Sequence, residues 1–287
     1  MIRIVTDSTS QLTHDQAATH DISIVPMTII IDGVEYSEGL DLATESFYES
    51  IGDGVMLSTS QPSPATFIET YQRLVAEGAT EILSVHLSEA NSGTLNAARI
   101  AAGEVSVPIH LIDSKMTSYG LGVIALMLAD HVATGGTAET AVLEAELLVP
   151  TISMVFILQD VNYVLRGGRI RQPELPSGTN DVPVLAGAGG HYELIGTGRT
   201  IDNLTDQMAA ALLQGHHLRH VAVAHAAPDT IEFTEGLEAQ LGSSHLVVSV
   251  HRYRMSPSIA VHTGPGTAGG FSWPAHVLVE DVQPSSS

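Results

Sequence analysis

Short apolar runs alternate with stretches of helical periodicity along the first half of the chain. Ile2–Thr6 reads as a buried strand, and Asp7-Ser8-Thr9 behind it supplies turn and capping residues. Ser23 to Ile31 is rich in strand formers, and Asp32-Gly33 then reverses the chain into Val34-Glu35-Tyr36, the signal of a hairpin. Ser63-Pro64 combines a cap with a first-turn proline, so a helix is predicted from there, with Phe67, Tyr71, Leu74 and Val75 on one face. Glu81–Leu87 is the next strand, Ser92–Ala102 a helix, Pro108–Ile112 a strand, and Thr117 to Ala133 a helix. Strands that alternate with helices predict a mainly parallel sheet with right-handed crossovers.

Thr134-Gly135-Gly136-Thr137 interrupts, a further helix runs to Leu148, and Pro150 ends it. Ile152–Leu158 opens a second unit, and a division into domains 1–150 and 151–287 is expected. The second unit holds a Gly-rich excursion from Arg166 to Gly190, a hairpin around Gly187–Gly190 and a helix from Ile201 to Leu213. Strand Arg219–Ala224, helix Asp229–Leu241 and strand Leu246–Val250 follow, and Gln283 to Ser287 reads as a frayed tail. The fold class expected is α/β in two domains, a mainly parallel sheet with flanking helices in the first and a second α/β domain behind it.

Charge narrows the partners. The 287 residues hold 32 acidic against 11 basic side chains, a formal charge of −21, and Lys115 is the sole lysine. Such a field repels nucleic acid and anionic membranes, both of which bind through Lys and Arg clusters. A pocket can still accept an anion, because its own lining governs it. There is no cysteine, so disulfide and thiol chemistry drop out. The start of the chain does not read as a signal peptide, and no apolar run reaches the ~20 residues that span a bilayer. A soluble, cytoplasmic protein is the expectation.

Four segments place hydroxyls or ionisable groups where open α/β sheets put ligands: Asp7-Ser8-Thr9, Ser58 to Ser63, Asn91-Ser92-Gly93-Thr94 and His262 to Gly266. Each alone reads first as a cap or turn, and Asp7 and Ser8 are read as structural. Gly264-Pro265-Gly266-Thr267-Ala268-Gly269 matches the dinucleotide pattern literally, but Pro274 follows too soon for the helix that pattern must open. Ser92 lacks the first glycine of a nucleophile elbow. His216, His217, His220 and His225 crowd together without a metal-binding pattern. No phosphate-cradling GxxxxGK[ST] occurs, so no cofactor is expected, and no metal. Arg166, Arg169 and Arg171 cluster around Gly167-Gly168, either a solvated loop or a contact for a phosphate or an acidic partner.

Read together, these segments resemble the DegV family of fatty-acid-binding proteins, which includes bacterial subunits that present fatty acids to a separate fatty acid kinase. The likeness runs in order through Ile4 to Ser10, Thr59-Ser60-Gln61-Pro62-Ser63, Leu87 through Ser92-Gly93-Thr94, Asp113-Ser114, Leu165 through Gly167-Gly168-Arg169-Ile170, and His262-Thr263-Gly264-Pro265-Gly266. It implies two α/β domains, with the acyl tail threaded into the first and the carboxylate at their junction. By position, Thr59, Ser60, Ser92 and His262 fall where the family binds that carboxylate. Arg169, with Arg166 and Arg199, falls where it contacts the kinase and the transferred phosphate. The sequence departs from the family at Val182-Pro183, where a Lys-Pro pair is usual, and in the short Pro- and Gly-rich stretch Gln172 to Asp181.

The resemblance implies a carrier rather than an enzyme. It holds one long-chain fatty acid of about C14–C18, a tail whose methylenes contribute ~0.8 kcal/mol each, with an ATP-dependent fatty acid kinase as partner. First-domain helices are expected to line the tail, Phe67 and Ile124 among them. Two alternatives stand beside it: a lipid buffer or sensor without a kinase, and an enzyme using Ser92 and His262 on a small acyl substrate.

Overall fold

The computed structural model describes residues 1–52, 54–168, 181–215 and 217–275. Numbered along the chain, β1 (Ile2–Asp7) lies between β2 (Ile22–Val25) and β6 (Glu81–His86), and β7 (Ile109–Asp113) completes a four-stranded sheet in the order β2-β1-β6-β7. Every contact in it is parallel. Such a sheet needs cover on both faces, and the strands read accordingly as near-continuous apolar runs. Val5 and Ile82 point to one side, beneath α3 (Pro64–Ala76) and α4 (Thr94–Ala102). Ile4, Leu83 and Val85 point to the other, beneath α5 (Tyr119–Ala133) and α6 (Ala138–Leu148).

A small antiparallel sheet interrupts this alternation. β3 (Thr28–Ile31) and β4 (Val34–Ser37) form the hairpin expected at Asp32-Gly33, whose φ values of 49° and 83° are those a two-residue turn requires. β5 (Leu57–Ser60) pairs with the other edge of β3. The sequence reading took the Ser58–Ser63 segment as a loop; its first three residues are strand, because β3 offers an unpaired edge that outweighs their weak strand propensity.

The third sheet has six strands in the order β10-β9-β8-β13-β11-β12. These are β8 (Ser153–Leu158), β9 (Val182–Ala188), β10 (His191–Gly198), β11 (Arg219–His225), β12 (Val247–Arg254) and β13 (Thr267–Pro274). Only the β11–β12 contact is parallel. α8 (Ile201–Leu212) and α9 (Ile231–Gly242) cover one face through Leu204, Met208, Phe233 and Leu237. The opposite face, with Met154, Phe156 and Phe271, joins the core built on Ile4, Leu83 and α5. The two large sheets therefore share an apolar core across their junction.

The fold is α/β, with a parallel first sheet, flanking helices and a second sheet, as expected. Two elements at the junction were not foreseen. A short helix, α10 (Pro257–Thr263), carries His262 in its last turn. The glycine pattern of 264–269 ends α10 at Gly264 and then enters β13 at Thr267, a strand between β8 and β11. Arg169, Arg171, His216 and the tail Gln283–Ser287 lie outside the described residues, as do residues 172–180. Among the described residues no helix is long and apolar enough to cross a membrane.

Candidate functional site

Three elements bring the expected carboxylate ligands together. Along β5 inward and outward residues alternate, so Leu57 and Thr59 turn toward the interior while Ser58 and Ser60 are exposed. Thr59 Oγ1 lies 2.8 Å from His262 Nε2, a hydrogen bond across 203 positions of sequence. Ser60, expected beside Thr59, stands on the other face of the strand and does not border the cavity described below; the two-residue period separates them. Ser92 precedes α4 by two residues rather than capping it. Its hydroxyl pairs with Thr94 Oγ1 at 2.9 Å and accepts from the Thr94 backbone N–H at 3.3 Å.

His262 depends on how α10 is held. Seven residues make too few internal hydrogen bonds to stand alone, and the first half of the chain supplies the rest. Gln11 donates from its amide to Ser256 Oγ and accepts from the Ser256 N–H, both at 2.7 Å. Glu38 accepts from the Ser258 N–H at 2.6 Å and from the Ser8 hydroxyl. Burial pushes the Glu38 carboxyl above its usual pKa, and the hydrogen bonds from Ser8 and Ser258 oppose that shift. Ala260 and Val261 pack among Ile29, Leu42 and Phe47. At the other end Gly264 has φ 87°, and a Cβ there would meet the Tyr163 ring at 2.8 Å, so only glycine ends the helix this way.

A cavity of about 100 Å³ opens between the two halves, and Thr59, Ser92 and His262 all border it. Thr9 and Leu87 enter from the first sheet, and both are fixed by Asp7. This fully buried carboxylate accepts from the Thr9 N–H at 3.1 Å and the Thr9 hydroxyl, from the Leu87 N–H at 3.1 Å, and pairs with His86 Nδ1 at 3.0 Å. Asp7 thus remains structural, as read from the sequence, but it shapes the wall. Sequence reasoning missed Tyr192 and Tyr253. Asn91 donates to the Tyr192 hydroxyl at 3.2 Å, and Ser118 pairs with the Tyr253 hydroxyl at 3.0 Å. Burial raises both phenols' pKa, so both stay neutral. Nothing local marks them: each sits on a strand that reaches the cavity only through tertiary packing.

Thr117, Ser258, Thr263 and Thr267 add further hydroxyls, and β8 and β13 supply much of the apolar remainder of the wall. Met154, Phe156, Gly269 and Phe271 border the cavity, and Met27 and Met255 join them. Phe67 and Ile124, expected along the tail, do not border it. Phe67, on α3, is buried with its ring centroid 5.0 Å from that of His86 in an edge-on contact, and Ile124, on α5, packs into the core shared by the two large sheets. Among the described residues lining the cavity none is Asp, Glu, Lys or Arg, which leaves His262, the Asn91 amide and neutral hydroxyls as its polar side chains. That set can hydrogen-bond one small anionic or polar head while an apolar body lies along β8 and β13.

Of the basic residues expected to meet a partner, Arg199 is exposed and ion-paired with Asp181. Arg166 belongs to the short helix α7 (Val161–Gly167), and Arg169 lies outside the described residues.

Fold and site together define an α/β protein of two large sheets and one small one, with a cavity headed by hydroxyls and a histidine where they meet. The chain belongs to the DegV family: the family described as "Uncharacterised protein, DegV family" matches residues 1–274. Among curated relatives, the DegV domain-containing protein SCO2569 of Streptomyces coelicolor is 34% identical over 274 residues, covering 93% of this chain and 96% of the relative. SAR1438 of Staphylococcus aureus is 31% identical over 278 residues, with the same coverage. Among solved structures, a DegV family protein from Thermus thermophilus, described by its fatty acid binding, superposes with a TM-score of 0.88. It is 28% identical and covers 95% of this chain and 99% of that one. The Bacillus subtilis DegV, described as a fatty acid binding protein, shares the fold with a TM-score of 0.84 at 24% identity, covering 95% and 98%.

Proposed function

We propose that this protein binds one long-chain fatty acid, of about C14–C18, and shields its tail. The observation that carries the reading is the Thr59–His262 hydrogen bond at a cavity that joins neutral polar groups to an apolar wall and has no Asp, Glu, Lys or Arg in its described lining. A carboxylate removed from water is costly unless hydrogen-bonded or neutralised. Thr59 and Ser92 offer hydroxyl donors, and His262 can share or carry a proton. The tail supplies affinity: ~15 methylenes at ~0.8 kcal/mol each amount to on the order of 12 kcal/mol before association and ordering costs. The cavity walls can adjust to such a tail. Met27, Met154 and Met255 in its walls are unbranched and re-pack at low cost.

The finer reading is that of a cytoplasmic carrier. The chain offers the carboxylate to an ATP-dependent fatty acid kinase, which makes the acyl phosphate, and Arg169 with Arg166 and Arg199 contacts that kinase. The chemistry then resides in the partner, and this chain needs no cofactor. The boundary near residue 150 divides a part that supplies Thr59 and Ser92 from one that supplies His262 and the arginine segment. A second reading, a lipid buffer without a kinase, draws support from Val182 standing where the family carries lysine and from the engagement of Arg199 by Asp181.

Two experiments separate the levels. Ser92→Ala together with His262→Ala should weaken fatty-acid binding, and unchanged affinity removes the site assignment. Arg169→Glu should abolish acyl phosphate formation in a reconstituted reaction while fatty-acid binding persists. An unchanged rate favours the buffer.

A further inference from the structure

The last residue of β13 to border the cavity is Phe271, and it and its neighbour Met154 are each seated against a glycine. Along β13 the residues on the cavity face are Thr267, Gly269 and Phe271, which read polar, bare and bulky. Thr267 donates its hydroxyl to the Thr263 carbonyl at 2.8 Å, which ties this end of the strand to the helix carrying His262. Phe271 lies four residues further on, about 14 Å at the usual strand rise. Gly269 between them pairs with Phe156 of β8, and a Cβ at that glycine would stand 2.9 Å from Phe156 Cβ, so β13 adds no side chain to the middle of the floor, where Phe156 borders the cavity.

Phe271 closes the row. It is paired across the strands with Met154, and both border the cavity. The Phe271 ring rests on α5 at Gly120: a Cβ there would meet Phe271 Cε1 at 2.9 Å and Cδ1 at 3.1 Å. Met154 in turn lies over Gly187 of β9, its methyl only 1.9 Å from where a Cβ of that glycine would be. Each bulky side chain thus occupies space that a glycine on the facing element leaves free. The ring is pinned between a helix backbone and the sheet, whereas the thioether beside it is flexible.

We propose that Phe271, seated on Gly120, is the stop that sets acyl chain length, with Met154 as its adjustable neighbour. The proposal rests on the fatty-acid reading above. A chain whose head is held by Thr59, Ser92 and His262 runs over Gly269 and ends at the Phe271 ring. Two substitutions move that ring in opposite senses. Phe271→Leu shortens the stop and admits longer chains. Gly120→Ala drives the ring into the cavity and favours shorter ones.

The test is competition of a homologous series of saturated fatty acids against a fluorescent fatty acid, on wild type and both variants, with folding checked by circular dichroism. Phe271→Leu should raise the affinity of an acid two carbons above the wild-type optimum about tenfold relative to that optimum, since one methylene in a shaped pocket discriminates by about that much. Gly120→Ala should shift the optimum the other way. An unchanged rank order of chain lengths in both folded variants overturns the stop while leaving fatty-acid binding intact. Wild-type protein that binds no acid of any length overturns the reading beneath it, and the stop with it. If Phe271→Leu does not fold, Met154→Ala serves in its place, with the same outcomes.

Discussion

Removing one hydroxyl at the head of the cavity tests the carboxylate site at the atom level. Thr59→Val keeps the shape and the strand preference of a residue on β5 and deletes only Oγ1, the atom 2.8 Å from His262 Nε2. In the fatty-acid complex that oxygen serves a charged or charge-sharing group. Its loss should cost about 1.5–3 kcal/mol, the usual range for a hydrogen bond to an ion, which is about 10- to 150-fold in Kd. Because Thr59 and His262 bond each other, their effects should not add. Thr59→Val with His262→Gln should fall short of the summed singles by on the order of 1 kcal/mol. Isothermal titration calorimetry with a long-chain fatty acid, and with the alcohol of equal length, reads both numbers. The alcohol lacks the carboxylate, so its affinity should move less than about twofold, well under a full hydrogen bond. A folded Thr59→Val protein that keeps the acid's affinity within about twofold places the carboxylate elsewhere and refutes the reasoning.

Two further outcomes follow from the supports of the site. Burial raises the Glu38 carboxyl above its usual pKa, so the folded chain holds that proton more tightly than the unfolded one. Stability contributed at this residue is full below the unfolded pKa and is lost as pH rises through the folded value. Glu38→Gln keeps an acceptor for the Ser258 N–H and should flatten that fall in urea unfolding as pH rises above the usual carboxylate range; an unaltered slope means another group carries it. Asp7→Asn leaves one oxygen to serve donors that now share two, and breaks the buried pair with His86. The expected loss is about 3–5 kcal/mol, a fall in Tm on the order of 10 °C for a chain of this size, and a shift of only a degree or two would deny Asp7 its role in fixing Thr9 and Leu87.

Local chemistry announces some parts of this molecule and not others. α3 begins where Ser63-Pro64 says it should, with Ser63 accepting from the Thr66 N–H at 3.2 Å, because a cap and a first-turn proline act within four residues. The β3–β4 turn is likewise settled by Asp32 and Gly33 alone. β5 is different: Leu57-Ser58-Thr59-Ser60 has one apolar residue and becomes a strand only because β3 pairs with it. β13 holds two adjacent glycines and is still central in its sheet, since pairing with β8 and β11 supplies what propensity does not. Of the site, Thr59, Ser92 and His262 were visible through motif resemblance, and the structure brings them to one cavity. Ser60 fell to the strand's two-residue period. Phe67 and Ile124 stand off the cavity, because which face of a distant strand closes a cavity depends on how the two sheets meet.

The most direct measurement is native mass spectrometry of the purified protein, followed by denaturing extraction of whatever it carries. The account predicts a fatty acid of about C14–C18, the size on which the ~12 kcal/mol tail term rests, at one per chain and diminished in the His262→Gln protein. A chain that emerges empty, and stays empty when long-chain fatty acids are added, contradicts it.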